Sequence, residues 1–142
     1  LPKGRVSNPK GGLYPYDFSF SGLKTAMLRQ VQKLQSVNAE LPLDDLAASF
    51  ENVVAEVLVE RSIKCTLDEG LENLVMVGGV AANMRLRQMI SSSASKNGVG
   101  VYMSPKVFCT DNAAMIGAAA FYRMPNNIVH EWDMDVIPNL SL

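Results

Sequence analysis

The residues with the clearest chemical potential follow a short apolar run. Leu74-Val75-Met76-Val77 ends in Gly78-Gly79, and Val80-Ala81-Ala82-Asn83 leads from there into a helical pattern. A buried strand that opens through two glycines into a helix start makes a platform for an anion or a nucleotide. Glycine lets a ligand approach the backbone closely, and free amides at a helix start favour negative charge. The same residues also make a plain strand-to-helix turn, and one glycine pair does not decide between the two. Asn83 carries an amide that can either read a base or ribose edge or cap the helix.

A second candidate is Phe108-Cys109-Thr110-Asp111-Asn112-Ala113-Ala114-Met115-Ile116, where Asp111 closes a loop and opens a helix of very small residues. Asp111 is open to two readings. With Thr110 it can cap that helix, or its carboxylate can face a cleft as a ligand for a hard or borderline metal. Cys109 reads as a small buried hydrophobe, because no basic partner stands in sequence to activate it. His130, the sole histidine, lies beside Glu131 and Asp133 in an irregular tail and reads as solvated, with Trp132 as an anchor for that tail. Lys24, Arg29 and Lys33 could track an RNA backbone, although three such charges also describe an ordinary solvated helix face.

These residues need elements to hold them. Residues 1–16 carry three prolines and three glycines and read as an irregular loop. Leu23, Met27, Val31 and Leu34 then keep helical spacing, which predicts a basic amphipathic helix. Pro42 with Asp44-Asp45 starts the longest helix, whose apolar face runs through Leu46, Phe50, Val53, Val54, Val57 and Leu58 to about residue 64. Residues 74–77 read as a strand covered on both faces, 82–92 as a helix, 99–103 as a strand and 112–123 as a helix able to approach its neighbours closely. Strand, helix, strand, helix in that order argues for a parallel α/β sheet.

The bulk properties narrow the class. With 142 residues and 48% apolar content the chain suits one compact domain or one lobe of a larger enzyme. A net charge of -1 gives no overall pull toward nucleic acid or membrane. The distribution is uneven, with six basic residues against Asp17 alone in residues 1–39. Two cysteines are too few for a disulfide framework or a cysteine metal site. No run reaches the roughly 18 apolar residues of a membrane span, and residues 1–10 carry no signal-peptide pattern. A Leu at position 1 and the loop that opens the chain suggest a fragment or a processed product.

Three motifs in order and in register, Asp17-Phe18-Ser19-Phe20-Ser21-Gly22-Leu23-Lys24-Thr25, the Val77–Asn83 turn and Cys109–Ile116, resemble the tRNA threonylcarbamoyladenosine transferases. The Phe-Ser-Phe-Ser form is similar to the bacterial and organellar branch. The resemblance implies an α/β fold, the C-terminal lobe of an actin/Hsp70/sugar-kinase-like architecture with a helical insertion, incomplete without the N-terminal lobe. On that reading residues 1–41 form the insertion region, 42–124 the second lobe and 125–142 a tail. The implied activity is transfer of a threonylcarbamoyl group from threonylcarbamoyl-AMP to N6 of the adenosine beside the anticodon of tRNA, releasing AMP.

The resemblance also implies roles. Gly78, Gly79 and Asn83 would face the adenylate, and Asp111 would be one ligand of a single divalent metal, iron or zinc. The family's other metal ligands come from a His-x-x-x-His helix upstream, which this sequence lacks. An open catalytic site takes about three protein ligands, so the chain alone is expected to be inactive. Expected partners are tRNA, the missing N-terminal lobe, and a second copy or accessory subunits. The expected compartment is the mitochondrion, with plastid or bacterial cytoplasm as alternatives. Two other readings compete: a non-catalytic truncated paralogue acting as a binding subunit, and a small-metabolite kinase, against which the Cys-Thr-Asp-Asn motif speaks. With no H-E-x-x-H, protease machinery is absent.

Overall fold

The structure, a computed structural model, describes residues 1–37 and 40–123. Among the described residues four α-helices and four strands make up a mixed α/β arrangement. The first departure from expectation lies in residues 1–16. They form an antiparallel hairpin of β1 (Arg5–Ser7) and β2 (Leu13–Phe18) instead of an irregular loop. Of the glycines and prolines that suggested a loop, Pro9, Gly11 and Gly12 belong to its turn, Pro2 and Gly4 precede β1, and Pro15 lies within β2. The Asn8 side chain accepts from the Lys10 amide at 2.9 Å, and Gly11 and Gly12 both take positive φ.

α1 (Ser21–Ser36) is the expected amphipathic helix, anchored by Leu23, which is fully buried. Lys24, Arg29 and Lys33 are all exposed on it. α2 (Leu43–Asp68) is the longest element and runs about a turn past its expected end. Asp44 and Asp45 sit in its first turn, where their charge suits the helix dipole.

The packing stripe of α2 differs from the one that its large apolar residues suggest. Of the expected residues Val57 is buried, at 1% exposure, but Phe50, Val53, Val54 and Leu58 are half-buried, whereas Ala55, Val59 and Ile63, spaced four apart, enter the core cluster. There they meet Leu86, Ile90 and Ala94 of α3 (Met84–Lys96), also spaced four apart. Two stripes of that period let small residues on one helix receive larger ones on the other. Burial of a side chain such as Ile90, 2% exposed, contributes about 1.5–3 kcal/mol.

Both core helices end in the same device, and each delivers the chain to a strand. After α2, Gly70 takes φ 65, its amide reaches the Leu67 carbonyl and the Leu71 amide reaches that of Thr66. After α3, Gly98 takes φ 70, with Gly98 bonded to Ser95 and Val99 to Ala94. These are Schellman closures, which need a residue tolerant of the left-handed conformation. Val99 and Ala94 both lie in the core, supplying the apolar contact that accompanies the motif.

The strands that follow, β3 (Asn73–Met76) and β4 (Gly100–Met103), pair in parallel, as the strand-helix-strand order requires. Asn73 stands opposite Gly100, where a Cβ would run into the Asn73 side chain. Leu74, Met76, Val101 and Met103 pack on the core. Val75, Val77 and Tyr102 point the other way and are 65%, 69% and 63% exposed. The expected covering of both faces is therefore corrected: among the described residues only one face is covered. α4 (Ala113–Arg123) is exposed along its whole length, and none of its small residues is buried against a neighbour among the described residues. His130 and Trp132 lie outside the described residues.

Candidate functional site

A cleft of about 780 Å³ opens at the carboxyl ends of β3 and β4, between the turn that leaves the first and the loop that leaves the second. Val77, Gly78 and Gly79 line one wall, and Ser104, Asp111 and Met115 are among the residues of the other. Parallel α/β sheets place ligands here because the connecting segments diverge after each strand and leave backbone polar groups facing the gap.

The two glycines are needed for different reasons. Gly78 has φ 89 and ψ 173, a region open to glycine alone, and this swings the chain out of β3. Gly79 has no left-handed φ, and a Cβ there would meet nothing within 4 Å. Neither backbone conformation nor packing among the described residues calls for glycine at 79. A ligand that needs close approach to the backbone does.

The helix does not begin directly after the pair. A 3-10 turn over Gly79–Ala82 intervenes, and α3 starts at Met84, not near Ala82. Asn83 caps that start. Its Oδ1 accepts from the Leu86 amide at 2.8 Å, and its Nδ2 donates to Glu51 Oε1 at 2.7 Å. It stands beside a separate, smaller pocket of about 270 Å³ with Phe50, Glu51 and Val80, outside the cleft that holds the glycines. One of the free amides expected at the helix start, that of Leu86, is thereby occupied by the protein's own side chain.

At the other wall, the capping role that local sequence favours for Asp111 falls to its neighbour. Asn112 Oδ1 accepts from the Met115 amide at 3.0 Å, and its Nδ2 donates to the Thr110 carbonyl at 2.8 Å. Asp111 is exposed in the cleft and makes no hydrogen bond or ion pair among the described residues. The donor set nevertheless does not fit a complete metal centre: no three His, Cys, Asp or Glu side chains come together among the described residues. A lone carboxylate holds a metal only with ligands supplied from elsewhere.

Two residues that the sequence did not single out shape this site. Glu51 of α2 receives the Asn83 amide, and Arg87 of α3 reaches both walls. Arg87 Nε donates to the Ala81 carbonyl at 2.5 Å, while Nη2 donates to the Ser104 carbonyl and to Cys109 Sγ at 3.3 Å. Cys109 is 4% exposed, as expected for a buried thiol, but the basic partner missing from its sequence neighbourhood is provided by the fold. Arg87 lies one helical turn after Asn83, a spacing that hints at a shared role, while its partners are set by tertiary structure.

Comparison with known proteins defines the relationship. The family model described as TsaD, tRNA N6-adenosine threonylcarbamoyltransferase, matches residues 2–118. A protein of that name from Prochlorococcus marinus (strain NATL1A) is 67% identical over 124 residues, 87% of this chain and 35% of the relative. One from Synechococcus sp. (strain WH7803) is 64% identical over the same shares, and one from Synechococcus sp. (strain CC9902) is 59% identical over 94% of this chain and 37% of its own length. The chain thus spans about a third of the length of the curated relatives it matches. All three are cyanobacterial proteins, which lends no support to a mitochondrial compartment. Among the described residues no helix is long and apolar enough to cross a membrane. Matched along most of its length and through all three of its motifs, this chain belongs to the tRNA N6-adenosine threonylcarbamoyltransferase family.

Proposed function

We propose that the chain supplies one side of the active site of a threonylcarbamoyl transferase, the side that receives the adenylate. The observation that supports this is the meeting of Gly78, Gly79 and Asp111 in one cleft, with Gly79 open to a ligand and Asp111 released from capping. In the reaction the N6 amine of a tRNA adenosine attacks the carbamoyl carbonyl of threonylcarbamoyl-AMP. The bond to the adenylate phosphate breaks, AMP leaves, and the amine loses its proton.

On this reading the backbone at Gly79 lies against the adenylate, while Asn83, which stands outside that cleft, secures the start of α3 behind the turn. Asp111 would be one ligand of a divalent metal only together with donors from outside the described residues, and such a metal would supply charge stabilisation there. The lobe assignment rests on the same reading: residues 42–124 form the second lobe of an actin-like fold, and residues 1–41 lead into it. Partners are the segment that completes the site, tRNA, and a second copy or accessory subunits. The cyanobacterial relatives favour a bacterial cytoplasm or a plastid.

The test compares threonylcarbamoyl transfer to tRNA and bound metal in three samples: the complete protein, its Asp111→Ala variant, and the 142-residue chain alone. The complete protein is expected to be active. Asp111→Ala is expected to lose transfer by at least about 100-fold, the scale seen when a group stabilising transition-state charge is removed, and to lose metal as well. The isolated chain is expected to be inactive. Full transfer by Asp111→Ala refutes the ligand role, and inactivity of the complete protein points to a non-catalytic binding subunit.

A further inference from the structure

We infer that Arg87 is a positioning residue that sets the separation of the two cleft walls. One wall is the turn after β3, held through the Ala81 carbonyl at 2.5 Å. The other is the loop after β4, held through the Ser104 carbonyl and Cys109 Sγ, two residues before Asp111. Nε and Nη2 form one edge of the guanidinium, so a single rigid plane reaches both walls at once. The anchor of that plane is also rigid. Arg87 follows Leu86, which is 5% exposed, and precedes Ile90, 2% exposed, so the packing of α3 on α2 is transmitted to the cleft.

Arg87 is half-buried and is not among the residues lining the cleft, so it acts through Ala81, Ser104 and Cys109 and not on a ligand. A guanidinium is suited to this role because its donors keep a fixed fork. Lysine has one ammonium on a flexible stem and cannot hold both walls with the same geometry. The distance between Gly79 and Asp111 is then a property of Arg87, although neither residue touches it.

The inference deepens the adenylate-site reading and rests on it for its catalytic consequence. The experiment uses the complete protein, as wild type, Arg87→Lys and Arg87→Ala. AMP affinity, kcat and KM for threonylcarbamoyl-AMP are measured, together with the rate of iodoacetamide modification at Cys109, followed by peptide mass mapping. Both variants are expected to bind AMP about 10- to 100-fold more weakly and to raise KM, since a displacement of the order of 1 Å costs about that much in a positioned site. Cys109 modification is expected to accelerate in both. Arg87→Lys keeps the charge and most of the stem, so it serves if Arg87→Ala does not fold.

Unchanged AMP affinity and KM in Arg87→Lys, alongside a wild type that binds AMP, overturn the inference. If the wild type itself neither binds AMP nor transfers, the adenylate reading falls. The wall-holding role is then judged on Cys109 alone: faster modification in Arg87→Lys upholds it and an equal rate overturns it.

Discussion

The two adjacent glycines show how one residue type answers to different constraints. At Gly78 the backbone conformation excludes every other residue, so any substitution there strains the turn with or without a ligand. At Gly79 the described protein leaves room for a side chain. Gly79→Val in the complete protein is therefore expected to shift stability by no more than about 1 kcal/mol while greatly weakening AMP binding. Calorimetric titration with AMP, paired with a urea unfolding curve, checks this, and unchanged affinity would confine Gly79 to shaping the turn. Asn83 carries the opposite expectation. Asn83→Ala removes the cap on Leu86 and leaves Glu51 without its amide partner, at a cost of about 1 kcal/mol in urea unfolding. An unaltered unfolding midpoint would show that its hydrogen bonds carry no weight in the fold. The capping role of Asn83 was readable from its type and place before a helix. The choice of Glu51 as its partner was not, because that carboxylate comes from another helix.

At the scale of elements, the β1–β2 hairpin is fastened to α2 by polar contacts at its rim. Tyr16 Oη donates to Asp68 Oδ2 at 2.8 Å and Arg61 donates to the Pro15 carbonyl at 2.9 Å; within α2 Lys64 Nζ lies 2.5 Å from the same Asp68 oxygen, and just ahead of β1 Lys3 pairs with Glu60 and Glu56 at 2.6 and 3.2 Å. The hydrogen bond to Asp68 holds the Tyr16 phenol protonated, pushing its pKa up to about 12. Lys64 first, and Tyr16 second, hold the Asp68 carboxyl below its ordinary value. The signs give two limits. Tyr16 is raised above its unfolded value, so its contribution is complete below about pH 10 and is lost as pH rises through about 12. Asp68 is lowered, so its contribution is complete above about pH 4 and is lost as pH falls through the depressed value. The protection of β2 amides, taken relative to the exchange rate of the unfolded chain at the same pH, is expected to fall at both limits. Tyr16→Phe should abolish the alkaline effect, and persistence of that effect in the variant would assign it to another group. The hairpin escaped sequence reading because its turn residues dominate so short a pair of strands.

For the molecule as a whole, charge is distributed more unevenly than the net value of -1 suggests. Residues 1–39 hold six basic side chains against one acidic, and the rest hold seven against thirteen. Lys24, Arg29 and Lys33 project from α1 into solvent, on a helix that has one fully buried anchor. On the proposed reading, replacing all three by alanine weakens tRNA binding by the complete protein and lowers the slope of log affinity against log salt by up to about 2, the counterions released by three phosphate contacts on a single strand. Filter binding over a salt series measures both, and an unchanged slope would leave α1 a solvated face. The open sheet face carrying Val75, Val77 and Tyr102, and the exposed length of α4, belong to this scale as well. A strand read from its sequence as doubly covered is, among the described residues, covered on one side only.

The sequence by itself determined the features that depend on neighbours within a few residues. These include the start of α2, the parallel β3–α3–β4 unit, the backbone freedom at Gly78, and the family motifs. Helical period, left-handed glycine conformations and apolar runs act over one or two turns of chain, so the order of residues suffices to specify them. Tertiary structure decided the rest. It chose Asn112 over Asp111 as the cap, because a one-residue shift of the helix start decides which side chain reaches the third amide. It brought Asp111 opposite Gly79, gave Cys109 its guanidinium partner, and made the small residues Ala55 and Ala94 core residues in place of the larger Phe50. Each of these depends on contacts between segments distant in sequence, where the docking of one helix on another fixes distances that no local pattern encodes.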